Sequence, residues 1–354
     1  MKRFLPLHFL SPLAGALIAA FMPVAAFSAD RTDKSLALAS RWLVSRQDPA
    51  TGAIQEARSN QTAMTSLAVL ALASMGHQPS DPSPEGQAMK KAIAFVLKPD
   101  RQTSEGYFGN DGSRMYGHGI TTLMLSEMLG MGADTGQDEQ IRAACKSGID
   151  LILRAQKVPK RDQSRGGWRY TPNASDSDLS VTVWQTMALR AAKNAGLDVP
   201  KEAIDEAVKY IKLLYEPERN LRGVITPGGF GYSSKGHTTS TTAEGLLAMQ
   251  VCGEYESEEV RGAADRLLAT GIQPGERWFL YTTYYYAQGM YQRGGKHAET
   301  GTRVITELLL PLQSSEGWWN SPDSQERGAG KIYSTSLAVL SLAVKNHYLP
   351  IYQR

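Results

Sequence analysis

Six times along the chain a helical segment runs into a glycine turn carrying an aromatic or aliphatic residue, and a second helical segment follows it with a Thr near its start. The turns read Gly52-Ala53-Ile54, Gly106-Tyr107-Phe108, Gly166-Gly167-Trp168, Gly228-Gly229-Phe230, Gly275-Glu276-Arg277-Trp278 and Gly317-Trp318-Trp319. Thr65, Thr122, Thr182, Thr242, Thr283 and Thr335 mark the second helices, and successive marks lie 41 to 60 residues apart. That period holds one helical hairpin and a long loop. A lone hairpin cannot bury its apolar face, so hairpins must stack, and six of them can close on themselves and leave no end exposed. The pattern predicts an all-α protein, an α/α6 toroid with inner and outer rings of helices.

The two helices of each hairpin differ in kind. The first ones, expected over 34–46, 86–97, 139–156, 201–215, 257–270 and 302–312, keep one charged face, as in Lys201, Glu202, Asp205, Glu206 and Lys209. They read as an outer, solvated wall. The second ones, expected over 63–75, 118–129, 178–195, 238–251, 280–292 and 335–345, are nearly charge-free. A helix that is apolar all round must be buried, so these form the inner wall.

The first residues read as a leader. Lys2 and Arg3 precede a mostly apolar stretch over 4–26, and the small residues Ala26 and Ser28 suit cleavage after Ser28. The expected organisation is a signal peptide over 1–28 and one toroid over 29–354, exported to the periplasm or beyond. The formal charge of +3 includes Lys2 and Arg3, and no basic run interleaves with aromatics, which excludes nucleic acid as a partner. Cys145 and Cys252 are the only cysteines, and both fall inside helical patterns. They read as unpaired thiols packed as small hydrophobes.

A second motif recurs at the ends of the outer helices. Trp42-Leu43 is followed by Gln47 and Gly52, Phe95-Val96 by Gln102 and Gly106, Leu151-Ile152 by Gln156 and Gly166, and Leu308-Leu309 by Gln313 and Gly317. Over nearly the whole chain after the leader this resembles the Gln-Trp repeat of the squalene and hopene cyclases and protein prenyltransferase β subunits. The resemblance implies the double-walled toroid. It also implies a catalytic acid: those cyclases carry Asp-x-Asp-Asp before an inner helix, and here Asp176-Ser177-Asp178-Leu179 occupies that place. Asp178, with Asp176, is the candidate acid, although Leu179 replaces the last carboxylate. The Asp-x-Cys zinc pair of the prenyltransferases has no counterpart, nor has the Cys-Gly-Glu-Gln of toroidal thioester domains, since Cys252-Gly253-Glu254 ends in Tyr255. No metal and no cofactor is expected.

The loops that enter the inner helices should all emerge at one mouth of the ring, the default place for a ligand. The candidate binding residues there are Tyr116, His118, Arg169, Tyr170, His237, Tyr281, Tyr284, Tyr285, Trp319 and Tyr333. His118, Asp178 and His237 share a register before their helices, but that register is met equally by an N-cap and two loop histidines, the reading we adopt. Trp168, Trp318 and Phe230 read as wedges between helices. The chain thus reads as a binding or scaffold toroid for a small-molecule, lipid-like or isoprenoid ligand, or a glycan. Two alternatives are a cyclase-like enzyme using Asp178 as acid and a lyase-type, polysaccharide-active toroid.

Overall fold

The computed structural model describes residues 24–57, 59–219 and 225–353. The expected leader lies outside them apart from its end, which is continuous with the first helix. Among the described residues twelve α-helices alternate between two walls. The outer ones are α1 (Val24–Ser45), α3 (Pro84–Val96), α5 (Thr135–Gln156), α7 (Lys201–Leu213), α9 (Glu258–Thr270) and α11 (Gly295–Leu309). The inner ones are α2 (Gln61–Ser74), α4 (Arg114–Glu127), α6 (Leu179–Asn194), α8 (Thr239–Val251), α10 (Phe279–Arg293) and α12 (Lys331–Leu342). Each inner helix packs on the next, and α12 packs back on α2, so the ring is closed. The expected toroid is present.

The inner helices run parallel. Ser66 of α2 reaches Thr121 of α4 at 3.1 Å, and Gln288 of α10 donates to the Leu340 carbonyl of α12 at 2.9 Å. Burial explains their composition: along α2 every residue from Thr65 to Ser74 is buried, so a charge anywhere on that stretch would be desolvated without a partner.

The recurring Gln does more than tie a helix to its turn. The amide of Gln47 donates to the Gly52 carbonyl at 2.9 Å and to Ala88 of the next outer helix, α3, at 2.8 Å. Gln102 repeats this with Gly106 and Ala144 of α5, and Gln156 with Gly166 and Ala203 of α7. Gln313 closes the ring by bonding Gly317 and Ser35 of α1. In four of the six repeats one side chain therefore joins neighbouring hairpins. The turn glycines adopt φ +88 to +102° at Gly52, Gly106, Gly166 and Gly317, where a Cβ would also strike the backbone of the neighbouring outer helix.

The residue two places after those glycines is the wedge. Trp168 and Trp319 are buried, and their indoles donate to Ile152 and Leu309 of the outer helix at 2.9 and 2.7 Å. The backbone N–H of the wedge bonds the inner-helix hydroxyl of Thr65, Thr182 or Thr335. Repeat two differs from the expected register: Phe108 donates to His118 Nδ1 at 3.3 Å, so His118 and not Thr122 occupies the anchoring place. Repeat five also departs, because Trp278 is 40% exposed at φ +57° and starts α10 instead of wedging under it.

Between α7 and α8 lies a hairpin of β1 (Tyr215–Arg219) and β2 (Ile225–Phe230), where the sequence pattern suggested only a turn. It packs against α9. Both cysteines are free, and Cys145 lies against Ser126 at 3.2 Å. The far end of the ring is closed by the C-terminal segment: the Ile351 N–H donates to Glu127 at 3.2 Å, and the Tyr352 hydroxyl bonds that of Tyr284.

Candidate functional site

The mouth lies at the N-terminal ends of the inner helices, whose free N–H groups need acceptors. Five of the inner helices are capped by the loop of the following repeat, and α8 by its own Thr238. Asp111 accepts from Thr62 and Ala63 of α2, Glu326 from Leu280 and Tyr281 of α10, and Glu56 from Lys331 and Ile332 of α12. The Tyr170 carbonyl accepts from Met115 of α4 and the Tyr232 carbonyl from Leu179 of α6. On α8 the Glu276 carboxyl bonds the Thr239 side chain. Six loops are thereby laced into one rim. Asp178 adds an ordinary N-cap to α6, its Oδ1 accepting from the Val181 N–H at 2.8 Å.

Tyrosines surround this rim. Tyr116, Tyr281 and Tyr333 each stand third in their helices, α4, α10 and α12, and each is half-buried. Tyr170 and Tyr232 join them from the loops before α6 and α8, their hydroxyls hydrogen-bonded to one another. Tyr116 and Tyr170 lie 6.0 Å apart between ring centroids. Arg169 is stacked over Tyr170 at 4.7 Å and Tyr232 at 5.7 Å, while its Nε lies 3.2 Å from Asp178 Oδ2 and its Nη1 3.5 Å from Asp176.

Two carboxyls lie beneath the rings. Burial pushes Asp178 up to about 6, against the opposing pull of the Val181 N–H and Arg169, so it is ionised at neutral pH and paired with Arg169. Glu244 of α8 is 1% exposed and accepts from Ser180 of α6 at 2.6 Å and from Ser240 at 3.1 Å. Burial lifts it to about 8, with the Ser180 and Ser240 hydroxyls pulling the other way. Glu244 was missing from the sequence-derived set. Its only signal there was a lone charge within an otherwise uncharged inner helix.

The other expected residues fall into three groups. Tyr116, Arg169, Tyr170, Tyr281 and Tyr333 come together at the rim, with Asp176 and Asp178 beside Arg169. Tyr284 and Tyr285 are fully buried under it: Tyr284 stacks on Trp184 at 5.7 Å, and Tyr285 meets the same indole edge-on at 6.0 Å. Trp319 is a buried wedge, whereas its neighbour Trp318, expected in that role, is half-buried under the Lys331 ammonium at 3.8 Å. The two histidines stand apart from the tyrosines. His118 is wholly buried with one ring nitrogen accepting from Phe108 and the other bonded to the Gly148 carbonyl, and burial drives it down to about 3. His237 pairs with Glu218 of the hairpin at 3.3 Å. Among the described residues no group of three His, Cys, Asp or Glu is placed to hold a metal ion.

No protein-family model matches the sequence, and no curated protein matches it either. Solved structures do resemble it. An inactive double-aspartate variant of the α-1,6-mannanase GH76A of Salegentibacter sp. HEL1_6, in complex with α-1,6-mannotriose, superposes with a TM-score of 0.64 at 10% identity, covering 90% of this chain and 99% of that one. Cellobiose 2-epimerase from Bacillus thermoamylovorans B4167 gives 0.65 at 11% identity, covering 91% and 100%. The type II terpene cyclase MstE from Scytonema gives 0.57 at 14% identity, covering 90% and 99%. Identities this low establish a shared toroidal fold and nothing of the chemistry.

Proposed function

We propose that this chain is an exported, non-catalytic binding toroid that holds a small molecule at the tyrosine-lined mouth of its inner ring. The observation that carries this reading is the arrangement of Tyr116, Tyr170, Tyr232, Tyr281 and Tyr333 as half-buried rings around Arg169 and two buried carboxyls. Such a surface joins apolar ring faces to a few convergent polar groups, the usual make-up of a ligand site. The ring interior below it is occupied by Trp184, Tyr284 and Tyr285 and closed from the far side by Tyr352, so the ligand is held at the rim.

The same geometry weighs against an isoprenoid cyclase. An alkene-protonating acid must be held protonated and unpaired, whereas Asp178 caps α6 and neutralises Arg169. A glycan-active enzyme is the second reading, favoured by one observation: two buried carboxyls, Asp178 paired with Arg169 and Glu244 held only by serine hydroxyls, sit in different environments at the same mouth, the arrangement that can divide acid and base roles. One solved neighbour is bound to mannotriose and another, an MstE variant, to geranylgeranyl dihydroxybenzoate, so both ligand types suit toroids of this kind.

Native mass spectrometry on protein purified from its own exported fraction tests the proposal. An added mass that is lost in Tyr116→Ala and Arg169→Ala variants supports it. Turnover of a glycan or isoprenoid by the purified protein, abolished in Asp178→Asn, would overturn it.

A further inference from the structure

Among the described residues Glu244 is the one carboxyl at the mouth whose position is not explained by a cap or an ion pair. Asp178, Glu326, Glu56 and Asp111 all receive backbone N–H groups, and Asp178 also has Arg169. Glu244 sits a turn and a half inside α8, where no helix end needs it. Among the described residues no Lys, Arg or His forms an ion pair with it, and its partners are two serine hydroxyls. Those two bonds leave lone pairs on both carboxylate oxygens. Buried carboxyls of this kind are paired with a cation or kept protonated, because an uncompensated charge in a low dielectric is expensive.

The groups facing Glu244 are of one sort. Its charge acts on the phenols of Tyr116 from α4, Tyr281 and Tyr285 from α10 and Tyr333 from α12, and it acts together with Asp178 from the start of α6. Three of these rings, Tyr116, Tyr281 and Tyr333, are half-buried and come from three separate helices at the same level. An acid at the foot of several aromatic faces is the arrangement that holds an organic cation, since each ring adds quadrupole attraction and the carboxylate supplies the counter-charge. The protein already uses this chemistry next door, where the Arg169 guanidinium rests on Tyr170 and Tyr232 and pairs with Asp178.

We infer that the mouth binds an organic ammonium ion, with the cationic group among Tyr116, Tyr281 and Tyr333 and Glu244 as its counter-ion. This rests on the binding reading above and names the ligand class. Asp178 is already paired with Arg169, so Glu244 is the carboxyl free to become a ligand's counter-ion when it gives up its proton. Without ligand Glu244 holds its proton at neutral pH, its affinity for it raised by burial. Binding a cation therefore displaces that proton to solvent, and affinity rises with pH until Glu244 is ionised in the free protein.

Choline and tetramethylammonium are the probes, with 3,3-dimethylbutan-1-ol as the uncharged analogue of choline, titrated by calorimetry in buffers of different ionisation enthalpy. The expected result is binding of both cations, at least about tenfold weaker binding of the alcohol, and release of close to one proton at pH 7. Glu244→Gln should remove the proton release and the preference for charge. Tyr116→Phe should retain affinity and Tyr116→Leu lose it, a comparison at a half-buried site that stands even where the Glu244 variant folds poorly. Equal affinity for choline and the alcohol, or unchanged binding in Tyr116→Leu, overturns the inference. A neutral oligosaccharide that binds at the mouth when the cations do not would overturn it and leave the binding proposal standing. Failure of every probe, together with the absence of any co-purified mass, would remove both.

Discussion

The side-chain amide of Gln313 donates to the Ser35 carbonyl at 2.9 Å, joining residues 278 apart in the chain. The same amide bonds Gly317 at 3.0 Å, and the Ser35 hydroxyl returns a bond to the Gln313 side-chain oxygen at 2.7 Å. This is the seam at which the last repeat meets the first. Its geometry matches that of Gln47, Gln102 and Gln156 within the ring.

Replacing Gln313 by Ala should therefore open the seam first. Three hydrogen bonds are lost and two carbonyls are left without their partner, which should cost about 1–3 kcal/mol. Urea denaturation gives the loss, and hydrogen exchange should place it in α1 and α11. A loss spread evenly over the ring would contradict the seam.

The two tryptophans of the sixth turn should behave oppositely. Trp319→Ala empties a buried wedge and strands the Leu309 carbonyl, for a loss of about 3–5 kcal/mol. Trp318→Ala removes a half-buried ring with a cation–π contact to Lys331, worth roughly 1 kcal/mol. Equal effects in thermal melts would contradict this assignment of the wedge.

Arg169 and Asp178 should be energetically coupled. Asp178→Asn keeps an N-cap acceptor but loses the ion pair, and Arg169→Met leaves a buried carboxylate with no cation. Arg169 is partly exposed, so water screens the pair, and a coupling of about 1–2 kcal/mol is expected from a double-mutant cycle. Additive single effects would show that the pair is not formed in solution.

Stability should fall as pH rises from mildly acid towards 8. Glu127 and Glu244 are both raised by burial to about 8 from 4.5. A carboxyl whose folded value lies above its unfolded one stabilises fully below the unfolded value, and that contribution is lost as pH rises towards the folded value. The decline should span pH 4.5 to 8, and Glu127→Gln with Glu244→Gln should flatten it. His118, pushed down to about 3, works in the opposite direction and should cost stability as pH falls below about 6.5. Chemical denaturation at a series of pH values separates the two limbs, and an unchanged slope in the double Gln variant would contradict the first.

The architecture was legible in the chain alone. The glycine turns, the uncharged inner helices and the recurring Gln are local and periodic features, and each forces burial or stacking wherever the chain folds. Even so, Thr122 read as the anchor of repeat two because it repeats the residue type, whereas the ring uses His118, which alone reaches both Phe108 and Gly148. Tyr116, Arg169, Tyr170, Tyr281 and Tyr333 were visible as a chemically rich set, but their convergence depends on the order of helices around a closed ring. The capping of five inner helices by the next repeat's loop, as Glu56 caps α12 from the other end of the chain, has no local signature at all. The surroundings of Glu244 were set in the same way. A single carboxylate in a helix is unremarkable until neighbouring helices bury it and leave it only two serine hydroxyls as partners, and those are properties of the assembled ring.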